Sequence, residues 1–144
     1  MAIPAFDEPA RRVFCVPLTL VPTLRTSADW AYSTGGVVIP RLVLGQRNDR
    51  VVLYFGATIY VVDAGGVGEA KCVFYTHDTR RHIELEALTI RSDLTNRQSF
   101  IKGPLDVTKL LPPGDLVGVR GAARSVVDGL EVSFFHLTAT FMVQ

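Results

Sequence analysis

Residues 50–63 read Arg50-Val51-Val52-Leu53-Tyr54-Phe55-Gly56-Ala57-Thr58-Ile59-Tyr60-Val61-Val62-Asp63. Apolar residues fill the odd positions Val51, Leu53, Phe55, Ala57, Ile59 and Val61, the period-two pattern of a strand laid on a core. The even positions, Val52, Tyr54, Gly56, Thr58, Tyr60 and Val62, carry no charge either. A face this apolar is poorly suited to open water, so a second layer or another subunit is expected to cover it. Tyr54 and Tyr60 are therefore candidates for an assembly interface.

Working toward the N-terminus, Gly45–Asp49 is a turn and Gly36–Leu44 a strand whose Pro40 marks an edge. Val21–Ser33, with Pro22, Ser27, Asp29 and Trp30, reads as a long loop. Arg12–Leu20 reads as a further strand, with Pro17 at an edge or bulge. Residues 1–10 hold Pro4 and Pro9 and little periodicity, so they are expected to form an extended arm on a single β-sandwich domain spanning 11–144. Ile3 and Phe6 would be the arm's anchors on a neighbouring copy.

Toward the C-terminus, the glycine-rich 64–68 leads to a strand at Glu69–Thr76 and a polar turn at His77–Arg80. Arg81–Arg91 alternates as a one-sided strand, and Ser92–Lys102 is polar and loop-like. Leu105–Asp115 reads as a loop or single helical turn ended by Pro112-Pro113-Gly114, followed by a strand at Leu116–Ala123. Asp128-Gly129 is a common hairpin pair. The last strand, Leu130–Val143, places Phe135, Leu137, Ala139, Phe141 and Val143 on its core face. No apolar stripe of helical period and no internal repeat occurs. Seven to nine strands at such spacing imply an all-β sandwich or barrel, and a jelly-roll-like β-sandwich best accommodates long connections.

The 144 residues are 48% hydrophobic and 20% charged, which supports a packed core without disulfides and excludes a disordered chain. Fifteen basic residues against 14 acidic ones give a net charge of +1, so neither nucleic acid nor an acidic membrane is an expected partner. The first nine residues lack the basic start and apolar run of a signal peptide. The most apolar run is broken by Gly56 and falls short of the roughly 20 residues of a membrane helix, so synthesis in a cytoplasm is expected. Cys15 and Cys72 stand in apolar strand-like runs and are expected to be buried thiols.

The chemical motifs are sparse. His77 and His82, with Asp78 and Glu84, match no zinc spacing, and His136 alternates with Thr138 on a strand. Glu84 and Glu86 share a strand face, a pattern that wetted strands produce without catalysis. No G-x-S-x-G elbow occurs, and Gly65-Gly66-Val67-Gly68 lacks the Lys-Ser/Thr of a phosphate loop, so a hairpin loop is the better account. No catalytic residue, cofactor or metal is expected, and the chain reads as a non-enzyme. Trp30 and Tyr32 in their loop either stack on a sugar or cap the end of the sandwich. Lys71, Lys102 and Lys109 are the only lysines, and arginine-rich usage suits forked contacts with carboxylates at subunit interfaces.

The segment Leu110-Leu111-Pro112-Pro113-Gly114-Asp115-Leu116-Val117-Gly118-Val119-Arg120-Gly121-Ala122-Ala123, followed by Asp128-Gly129-Leu130 and a closing strand, resembles the ending of jelly-roll proteins on phage particles. These include minor capsid or decoration proteins and tail-fibre head domains. The preceding 103–114 also resembles a loop of galactose-binding-like sandwiches. The resemblance implies a structural virion protein made in the host cytoplasm, assembling with itself as a homotrimer and with a major capsid protein. The alternative is a receptor- or carbohydrate-binding module such as a tail-fibre head domain, with Trp30 and Tyr32, read from their place in the loop and not from the resemblance, as the stacking residues.

Overall fold

The computed structural model describes residues 12–18, 23–33, 37–45, 49–76 and 81–144. The arm 1–10, with Ile3 and Phe6, and the turn residues His77 and Asp78 lie outside them. Among the described residues, eleven strands make two antiparallel sheets. In chain order they are β1 (Arg12–Pro17), β2 (Thr23–Arg25), β3 (Ala31–Tyr32), β4 (Val37–Pro40), β5 (Val51–Val61) and β6 (Gly68–Tyr75). They continue with β7 (His82–Glu84), β8 (Ile90–Ser92), β9 (Gln98–Asp106), β10 (Leu116–Ser125) and β11 (Val132–Val143).

The first sheet runs β1-β11-β5-β9, with β2 also on β11. The second runs β3-β10-β6-β7, with β4 on β10 and β8 on β6. The short strands pair up as interrupted edges: β1 and β2 flank β11, β3 and β4 flank β10, and β7 and β8 flank β6. Counting each interrupted edge once leaves the jelly-roll order, with every connection crossing between sheets except that from β6 to the β7–β8 edge. The expected all-β sandwich is what the chain forms. Its count exceeds seven to nine because three edges are broken into short strands.

The breaks have local causes. The pattern at 81–91 is split because the 3₁₀ turn Glu86–Leu88 drops Leu85 and Leu88, exposed by only 2% and 1%, into the core. Glu84 and Glu86 therefore do not share one strand face. The Val21–Ser33 loop contains β2 and β3, and the polar 92–102 stretch leads into β9, whose burial is slight because it is an edge. The turns at 64–67 and 126–131 are not hairpins: each carries the chain from one sheet to the other.

The core between the sheets holds Leu53, Phe55, Ile59, Phe134, Leu137 and Phe141 from the first sheet and Ala70, Cys72, Phe74, Val117 and Val119 from the second. Phe14 stacks on Phe141 at 5.3 Å. All the odd positions of β5 point inward, none exposed by more than 3%. In β11 the alternation changes at His136, which has φ 51° and interrupts the pairing with β5 between Phe135 and Thr138. This bulge puts Phe134 in the core and Phe135 on the outer face, correcting the expected core face of that strand. Cys15 also departs from expectation. Phe14 and Val16 take the inward positions of β1, so Cys15 is exposed while Cys72 is buried.

Candidate functional surfaces

The two outer faces of the sandwich differ in chemistry. Register places Val13, Met142 and Val52 in one row of the first sheet, then Cys15, Thr140 and Tyr54, then Pro17, Thr138, Gly56 and Ile101. Phe135, Thr58 and Ser99 form a further row, and Leu24, Ser133 and Tyr60 another. None of these side chains is charged. Val13 is 62% exposed, Leu24 53% and Ile101 78%. Tyr54 and Tyr60, half-buried, lie on this face together. One cation reaches onto the face, where Arg97 sits 4.2 Å over the Phe135 ring, and at its margin Asp106 pairs with Arg50 at 3.1 Å.

The outer face of the second sheet carries ions and rings. Outward positions of β6 hold Glu69, Lys71, Val73 and Tyr75, and those of β10 hold Gly118, Arg120, Ala122 and Arg124. Small residues on β10 leave room for rings to lie flat: a Cβ at Gly118 would run into the Tyr75 ring. Tyr32, opposite Ala122, stacks on His82 at 4.4 Å. Val73 and Ala122 are almost completely buried although they face outward, which is what such a cover produces.

Cations alternate with these rings. Lys71 Nζ lies 4.3 Å from the Trp30 centroid and 5.4 Å from that of Tyr32. Arg124 sits 4.5 Å over Trp30, and Arg120 4.5 Å over Tyr75. Two carboxylates engage three of the cations. Glu84 pairs with the buried Lys71 at 3.0 Å, and Glu69 takes Arg124 at 2.6 Å and Arg91 at 3.9 Å. Burial and the neighbouring Arg120 charge hold His82 below its usual range; Lys71 adds to this and Glu84 opposes it.

Trp30 and Tyr32 thus come together, but over the sheet rather than capping its end. The sequence reading missed Lys71, Tyr75, His82 and Arg120 as their companions. The available signal was the alternation Glu69-Lys71-Val73-Tyr75 facing small residues at Gly118 and Ala122. Among the described residues no three His, Cys, Asp or Glu side chains gather as a metal site, and no helix is long and apolar enough to cross a membrane.

No family model matches the sequence, and no curated protein does. Among solved structures, the chain is similar to one titled as the crystal structure of the T13 IBDV viral particle, at 10% identity and a TM-score of 0.48, over 92% of this chain and 31% of that one. It is similar to the infectious bursal disease virus Gx strain structure, at 10% identity and a TM-score of 0.45, over 94% and 32%. A VP2 subviral particle of that virus gives 12% identity and a TM-score of 0.44, over 92% and 32%. The chain spans about a third of the length of those chains.

Proposed function

We propose that the chain is a non-enzymatic structural protein of a phage particle, a minor capsid or decoration protein that assembles as a homotrimer and binds the major capsid protein. The observation that supports assembly is the uncharged outer face of the first sheet. Interface centres are depleted of charge and rich in aromatic residues, Met and Arg, and this face offers Tyr54, Tyr60 and Met142, with Phe135 under the Arg97 guanidinium and the Arg50–Asp106 pair at its edge. Its occupant is a second copy of the chain.

The sheet edges favour this over strand addition. Three are interrupted, and the fourth, β9, carries Pro104 and a shift in register against β5. Strand spacing and rise give the face a footprint of about 500 Å². A stable interface buries about 800 Å² per partner, so further contact is needed, and the arm with Ile3 and Phe6 is assigned that part. The placement on a phage particle, with synthesis in the host cytoplasm, rests on the resemblance of residues 110–123.

Light scattering at two concentrations, on the full chain and on a chain lacking residues 1–10, tests this. The expected mass is about three times the 15.8 kDa chain. Co-sedimentation of the full chain with phage capsids is expected alongside. A full-length monomer that sediments with no particle overturns the proposal.

A further inference from the structure

On the second sheet, Lys71, Arg91 and Arg124 are tied to Glu84 and Glu69, whereas no described carboxylate pairs with Arg120. The Arg120 guanidinium lies over the Tyr75 ring, and its buried Nε has no hydrogen-bond partner among the described residues. Beside it the stacked Tyr32 and His82 rings and the Trp30 ring are half-buried and held by the sheet and by neighbouring cations. The platform is therefore organised before any ligand arrives, which reduces the ordering cost of binding.

We infer that this surface binds a carboxylate-bearing saccharide, with Arg120 taking the carboxylate and the stacked Tyr32 and His82 rings, beside the cation-covered Trp30, taking the apolar C–H face of the sugar. A planar guanidinium matches a carboxylate in two parallel hydrogen bonds. A pyranose ring carrying an acid on its rim uses both halves of the surface. A nucleic-acid strand needs a track of free cations, but Glu69 and Glu84 occupy that track and repel phosphate. An acidic peptide side chain would engage Arg120 and leave the rings unused.

Trp30 is the only tryptophan, so its fluorescence reports directly on the site. The full-length protein is titrated with sialyllactose, with digalacturonate and with neutral lactose. A saturable change with at least one acidic saccharide and none with lactose is expected. Arg120→Gln should weaken that binding by more than about tenfold, the loss of charge-assisted hydrogen bonds, with an unchanged melting temperature. Arg120→Lys, which keeps the charge and loses the fork, should fall between. The inference is overturned if neither acidic saccharide binds, if lactose binds equally, if both variants bind like the parent, or if a thymidine decanucleotide or a polyglutamate peptide binds more tightly. Failure here leaves the solution mass, and hence the assembly reading, untouched.

Discussion

At the scale of single residues, side-chain direction decides chemistry. Cys15 and Cys72 sit in similar apolar runs, yet Cys15 faces outward and Cys72 lies in the core, where burial pushes its thiol up to about 12. A thiolate is the reactive form, so the chain dissociated to monomers and treated with a disulfide reagent at neutral pH should lose one thiol quickly and the other only on unfolding. Cys15→Ser should remove the fast reaction. His82 gives a second test. Its folded-state affinity for a proton is lowered, so the unfolded chain binds the proton more readily. The contribution of His82 to stability is complete above its unfolded value, near 6.5, and declines as pH falls below it. Thermal unfolding between about pH 7.5 and about pH 5.5, an interval set by about one unit either side of that value, should show a steeper fall for the parent than for His82→Gln.

At the scale of elements, the bulge in β11 is the feature with the largest consequence. By inserting His136 at positive φ it lets Phe134 and Leu137 both point inward, exposed by 0% and 1%. Strict alternation would have buried Phe135 instead. Phe134→Ala should cost about 3–5 kcal/mol, the range for a buried aromatic that leaves a cavity. Phe135→Ala should cost less than about 1 kcal/mol, because it loses a half-buried contact with Arg97 on the outer face rather than core packing. Urea unfolding of both variants measures the difference, and similar losses would place the bulge elsewhere. A smaller device of the same kind closes β9: Asp106 accepts hydrogen bonds from the Thr108 hydroxyl at 2.7 Å and backbone N–H at 3.0 Å, and these hold its carboxyl below the usual range.

At the scale of the whole molecule, the sandwich has one uncharged outer face and one ionic, aromatic face. If the first is an interface, a charge at its centre should disrupt association without touching the core. Tyr54→Lys is the sharpest such change, since Tyr54 stands opposite Thr140 in the middle of the face. Its expected effect is dissociation to monomers in light scattering, with the far-ultraviolet β signature retained. A Tyr54→Lys protein that keeps the parent's mass would move the interface away from this face. The second face should be unaffected by that variant, because the core separates the two sheets.

The fold class was legible in the sequence because strand periodicity is local. The alternation in residues 50–63 depends only on neighbours in the chain, and its odd positions are the ones the structure buries. The edge signals of Pro17 and Pro40 are local too, and β1 and β4 are edges. Period two also put Trp30 with Tyr32, and Tyr54 with Tyr60, on the same side of the chain, and the structure places each pair on one surface. Sequence could not assign strands to sheets, since a turn such as 64–67 reads the same whether it joins partners in one sheet or crosses to the other. Nor could it place the bulge, which register with β5 defines. The gathering of Trp30, Lys71, Tyr75, His82 and Arg120 comes from strands distant in the chain and adjacent in the sheet. Periodicity tells which way a side chain points, and only the tertiary pairing tells what it meets there.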